Sequence, residues 1–195
     1  MPKVHKRKAN KNGPAVRAGV CKPGEHYFTW SFYRGATMYS SVYPARHQLT
    51  RSPFLSAVYL AEDDLAETVA KFREGKCEAD ELAEALDSAR SAIQEASEAA
   101  EEALDAIMEH FPTGNPTTEL IDERMSACDT LGEGLEEQHE VAEQFTEATQ
   151  EAEAEALEGL EGEAKAKALK AAGEATAELR DQLASDIEGL EWEWA

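Results

Sequence analysis

This chain is short of cysteine, of aromatic residues and, in its first quarter, of acid. Three cysteines in 195 residues, Cys21, Cys77 and Cys128, form an odd and widely spaced set. That excludes a disulfide framework and suits a reducing compartment, so the expected location is the cytoplasm. Aromatic residues make up only 7%, and beyond residue 53 they thin to Phe54, Tyr59, Phe72, Phe111, Phe145, Trp192 and Trp194. Such a stretch cannot build a thick core, although Ala and Leu suffice for long helices packed through narrow seams. No apolar run approaches the roughly 18 residues of a membrane span. No apolar segment follows the basic start as a secretory signal requires. Neither a membrane partner nor export is predicted.

Acid is almost missing from residues 1–53, where ten Lys or Arg stand against Glu25 alone, a net +9. From residue 54 onward nine bases face 39 acids, a net −30, and the whole chain carries −21. A basic head on an acidic body implies two parts with different partners, since local charge governs contact within a Debye length of about 8–10 Å.

Catalytic signatures are also lacking. The sequence has no G-x-S-x-G, no phosphate-binding P-loop and no G-x-G-x-x-G. Cys21 and His26 lie five apart, with His5 and His47 elsewhere in the head, but a structural zinc site needs paired ligands in duplicate. Glu136-Glu137-Gln138-His139 has E-x-x-H spacing, near Glu123 and Glu140. A ferritin-like centre needs that pair twice, and the other body histidine, His110, has Ile107 three residues before it. A solvated acidic face accounts for these residues. Neither metal nor cofactor nor catalysis is expected.

Three segments are predicted. Residues 1–19 are basic and without hydrophobic periodicity, which predicts a flexible arm. Residues 20–75 read as a head of one β-hairpin and one helix. Tyr27 to Tyr33 alternates, with Phe28, Trp30 and Phe32 on one face; Arg34-Gly35 turns the chain; Thr37 to Tyr43 returns. Ser52 as N-cap, Pro53 at N1 and Gly75 at C′ bound a helix, which is expected to cover the Phe28, Trp30 and Phe32 face. Residues 76–195 read as an acidic body of long antiparallel helices, a helical hairpin or coiled coil. The second helix is predicted over 78–111, inward from Leu82 to Phe111. Pro112 to Pro116 breaks it, with Asn115 capping the third helix. That third helix points Leu120, Ile121, Met125, Cys128, Leu131, Leu135, Ala142 and Phe145 inward, with Gly132 and Gly134 weakening it and the Gly159–Gly162 stretch interrupting or ending it. The last points Leu169, Ala172, Thr176, Leu179, Leu183, Ile187, Leu190 and Trp194 inward. The fold class is therefore mostly α with a small β head, and faces this narrow predict a homo-oligomer through the body.

The head is the candidate nucleic-acid binder. Lys3, Lys6, Arg7, Lys8 and Lys11 would hold phosphates, while Arg34, Tyr39, Arg46 and Arg51 line the hairpin's tip and flank. Its free face would offer Tyr27, Tyr33, Tyr39 and Tyr43, and basic residues interleaved with aromatics both neutralise phosphate and stack bases. The same tyrosines would serve equally as packing for a helix or partner. The acidic body admits a second role, as a protein-interaction module that imitates the phosphate spacing of DNA or assembles into a particle. Trp192, off the seam in an acidic tail, suits either a docking peptide or a frayed helix end.

The segment Lys22-Pro23-Gly24-Glu25-His26-Tyr27-Phe28-Thr29-Trp30-Ser31-Phe32-Tyr33-Arg34-Gly35 fits K-x-G-x-x-Y-x-x-W-x-F-x-x-G. Together with Gln48-Leu49-Thr50 and Ser52, it resembles a group of uncharacterised bacteriophage proteins in which a hairpin of this form leads through S-Q-L-T-x-S into helices. His47 stands here in place of the first Ser, and the likeness covers roughly residues 20–60. It implies a phage or mobile-element origin, hence a host cytoplasm or a virion as location, and a host or phage protein as partner. It implies no activity. The aromatic strand ending at Arg34-Gly35 also resembles, more distantly, the arm-type DNA-binding domains of phage integrases. Those have a third strand that this sequence does not reveal, and their catalytic domain is absent.

Overall fold

The computed structural model describes residues 1–157, 162–192 and 194. The chain is mostly helical and divides into two compact units, Met1–Leu60 and Ala61–Ala195. The first keeps all ten bases and the single acid of the head, so the structural and electrostatic divisions nearly coincide.

The first unit is built on a three-stranded antiparallel sheet in the order β1 (His5–Lys8), β2 (His26–Ser31), β3 (Thr37–Ser40). Residues 1–19, predicted as a flexible arm, instead contribute β1 and the short helix α1 (Pro14–Arg17). The sequence hides β1 because His5-Lys6-Arg7-Lys8 has no apolar alternation; all four are exposed. Pairing with β2 holds them in place, His5 opposite Thr29 and Lys8 opposite His26. The strand gains its order from backbone hydrogen bonds, which carry no side-chain signature.

The tyrosine face of β2 is not free. Tyr27 is buried with Ala9 and Ala15, and Val16, Val20, Cys21 and Tyr39 pack against that cluster. On the opposite face the 3₁₀ turn Arg46–Leu49 meets Trp30. Trp30 is 4% exposed there, and its indole N–H donates to the Gln48 carbonyl at 3.2 Å. Phe28 meets the edge of Tyr43 at 5.4 Å.

Helix α2 (Pro53–Arg73) starts as predicted, with Ser52 Oγ accepting from the Leu55 N–H at 3.3 Å. It ends in a Schellman arrangement, with Lys76 N–H on Lys71 O at 2.8 Å and Gly75 in the left-handed region at φ 67°. In the second unit, α3 (Ala79–Met108) packs on α4 (Pro116–Leu157), and α4 packs on α5 (Gly162–Glu188). Asn115 caps α4 through Oδ1, 2.7 Å from the Thr117 nitrogen. The α3 seam is buried at Leu82, Leu86, Ala89, Ile93 and Ala96, then fades; Phe111, expected inward, is 57% exposed. In α4, Cys128, Leu131, Leu135 and Ala142 are buried. Phe72 is fully enclosed, with the edge of Phe145 at 5.3 Å and the Arg180 guanidinium over it at 5.2 Å.

Helix α4 runs unbroken through Gly132 and Gly134 for 42 residues. Gly134 has a structural reason: a Cβ there would sit 2.9 Å from Leu190 Cδ2, so the glycine admits Leu190 to the helix surface. The interruption expected at Gly159–Gly162 falls mainly on residues 158–161, outside the described residues. In α5, Leu183, Ala184 and Ile187 are buried, whereas Leu169 and Leu179, expected inward, are about half exposed. Arg73 holds this end of α5 through Glu188, Nη1 to Oε1 at 2.7 Å and Nη2 to Oε2 at 3.0 Å. Among the described residues no helix is long and apolar enough to cross a membrane.

Candidate nucleic-acid interface

Strand β1 is an edge, and its chemistry comes from its register. Lys6 stands opposite Phe28 and Lys8 opposite His26, while His5 and Arg7 stand opposite Thr29 and Tyr27. Lysines therefore point to one face of the sheet, and His5 and Arg7 to the other. Ala9 N–H donates to Glu25 O at 2.8 Å. Antiparallel alternation then turns the backbone groups of His5 and Arg7 toward β2 and those of Lys6 and Lys8 outward. The edge presents cations on both faces and open N–H donors between them.

Lys3 and Lys11, at either end of the strand, are exposed as well. Among the described residues none of Lys3, Lys6, Arg7, Lys8 and Lys11 is in an ion pair. Five cations within nine residues, with Glu25 the only acid in the unit, concentrate positive charge at this edge.

The other predicted residues sit elsewhere in the unit. Arg46 lies over the Tyr59 ring at 4.1 Å and Arg51 over Phe32 at 5.1 Å. Both keep the planar guanidinium against an aromatic face. Arg34 stands at the tip of the β2–β3 turn over Tyr33, at 5.1 Å. Tyr39 is placed differently from expectation: half-buried, its ring lies 6.1 Å from that of Tyr27 and belongs to the packing under α1. Its ring is a support for β2 and not an open stacking surface. The reason is α1 itself, a four-residue helix that covers this face and that composition did not signal. The tyrosines left open are Tyr33, 80% exposed, and Tyr43, 64% exposed.

The remaining chemistry-bearing groups are engaged in ordinary packing. Burial pushes the Cys77 thiol up, and its Sγ lies 3.7 Å from the Thr68 carbonyl. Burial, helped by the neighbouring Asp129 carboxylate, raises Cys128 to about 11. A thiol held protonated is a poor nucleophile and a poor metal ligand. Glu136 pairs with Arg90 at 3.2 Å, and His139 Nδ1 is 3.9 Å from Glu143. Among the described residues no group of three His, Cys, Asp or Glu is placed to share a metal ion. Compared with known proteins, the chain matches no family model, no curated protein and no solved structure.

Proposed function

We propose that this protein is a non-enzymatic, phage-type accessory protein whose first unit binds nucleic acid while the helical unit associates with a second copy. The observation that carries the reading is the β1 edge and its flanks: five exposed cations that make no ion pair among the described residues, in a unit of net +9. Arg34, Arg46 and Arg51 add three further cations on the turn and flank. A row of lysines on an edge strand also discourages edge-to-edge pairing of sheets, and a salt titration separates the two roles.

Neutralising five phosphates gives a slope of log K against log salt of about −3.5 on a single strand or about −4.5 on duplex. Fluorescence anisotropy with a labelled oligonucleotide between 50 and 200 mM salt reads that slope. Changing Lys3, Lys6, Arg7, Lys8 and Lys11 together to Gln removes most of the affinity. Deleting 1–19 is a poor substitute, since it also takes β1, Ala9 and Ala15 out of the fold. Affinity indifferent to salt would overturn the proposal.

Self-association is supported by Leu169 and Leu179, half exposed along an alanine-rich α5 of mixed charge. A dimeric coiled coil through that face predicts that Leu179→Glu yields the monomer in sedimentation velocity. The density of acid in the second unit, net −30, favours one further reading: an interaction module for a basic host or phage protein, acting as a DNA mimic or an assembly component. That reading requires a partner to be captured equally well by the β1 variant, with nuclease present.

A further inference from the structure

The aromatic residues of β2 are engaged, Tyr27 under α1 on one face and Trp30 against the 3₁₀ turn on the other. An open aromatic ring stands at the exposed turn between β2 and β3, at Tyr33. We propose that Tyr33 and Arg34 form a stacking site for an unpaired nucleobase, so that the ligand of this unit is a single strand. The inference rests on the nucleic-acid reading above.

The turn spans Phe32 to Gly35 and is closed by Gly35 N–H on Phe32 O at 2.9 Å. Arg34 occupies its third position at φ 56° and is the one positive-φ residue other than glycine among those described. That position belongs to Gly or Asn, because a Cβ in the left-handed region crowds the backbone. The adjacent glycine does not take up the strain. Gly35 is outside the left-handed region and instead leaves room for the Arg51 guanidinium, with which a Cβ at Gly35 would collide. Strain of this kind persists where a side chain is needed in place. Here the Arg34 guanidinium lies over the Tyr33 ring, at 5.1 Å.

Tyr33 is 80% exposed, so its ring is an aromatic surface standing in water beside that guanidinium. Arg51, over Phe32 at the foot of the same turn, supplies a second cation. An aromatic ring in water with cations beside it matches the two halves of a nucleotide, base on ring and phosphate on guanidinium. Bases within a duplex are already stacked on one another and do not offer a free face, whereas those of a single strand do.

The test uses the full chain with a labelled 20-nucleotide single strand, the duplex of the same sequence, and a single strand carrying 2-aminopurine. The wild type is expected to prefer the single strand and to change the 2-aminopurine fluorescence on binding. Tyr33→Ala should weaken single-strand binding about ten-fold, abolish the 2-aminopurine signal and leave the salt slope unchanged. Tyr33→Phe should bind as wild type, since the ring is what stacks. Arg34→Gly should raise the melting temperature, because the strain is relieved, yet weaken binding and flatten the salt slope by about 0.7. The proposal is overturned if Tyr33→Ala binds the single strand like wild type, or if wild type prefers the duplex. If wild type binds neither form, the nucleic-acid reading itself fails and takes this inference with it.

Discussion

Gly132 and Gly134 make a controlled comparison inside one helix. Both lie in the interior of α4, where replacing Gly by Ala gains about 0.8–1.0 kcal/mol of helix propensity. They differ in what a new methyl would meet: nothing within 4 Å at Gly132, and Leu190 Cδ2 at 2.9 Å at Gly134. Ordinary carbon contacts are about 3.5–4.0 Å, so Leu190 must retreat, and driving it off its rotamer costs about 0.5–1.5 kcal/mol. Gly132→Ala should therefore stabilise the protein by close to 1 kcal/mol, raising the melting temperature by about 2–4 °C. Gly134→Ala should be close to neutral. In a Leu190→Ala background the gain at Gly134 should return, a coupling that a double-mutant cycle isolates. Urea unfolding followed by ellipticity at 222 nm measures all four variants. Equal stabilisation by the two glycine replacements, with Leu190 present, would refute the close approach of the chain's end to α4.

Phe72→Ala should cost about 3–5 kcal/mol, because the ring is fully buried between Phe145 and Arg180. Phe111→Ala, at a side chain 57% exposed, should stay within about 0.5 kcal/mol; urea midpoints of the two variants check the contrast. Trp30→Phe orphans the Gln48 carbonyl and leaves a cavity where the rest of the buried indole stood; the lost hydrogen bond should cost about 0.5–1.5 kcal/mol and the cavity should add to it, by the same measurement. Cys128, raised to about 11 from the ordinary thiol value of 9.0, should stay unmodified by a thiol reagent at pH 8 until the protein unfolds. Because the thiol ionises earlier in the unfolded chain, stability from this group is fully present below about pH 9 and is lost as pH rises toward 11. Cys128→Ala should flatten that part of a stability–pH curve, and an unchanged slope would remove Cys128 as its cause.

Local chemistry determined the helix ends and the hairpin. Ser52 with Pro53, Gly75, and Asn115 with Pro116 are signals complete within four or five residues, and each sits in the structure at the predicted terminus. Aromatic alternation in Tyr27 to Ser31 likewise sufficed to place β2. The rest depends on partners distant in sequence. His5 to Lys8 become a strand only because β2 supplies hydrogen bonds to their backbone, and no pattern in four basic residues encodes that. Tyr39 turns inward because α1 covers its face of the sheet. Phe111, Leu169 and Leu179 recur at helical spacing yet remain exposed, since periodicity names a face without supplying a neighbour for every turn of it. Arg34 is the sharpest case: its residue type argues for charge, while its positive φ, a property of the closed turn, is what singles it out.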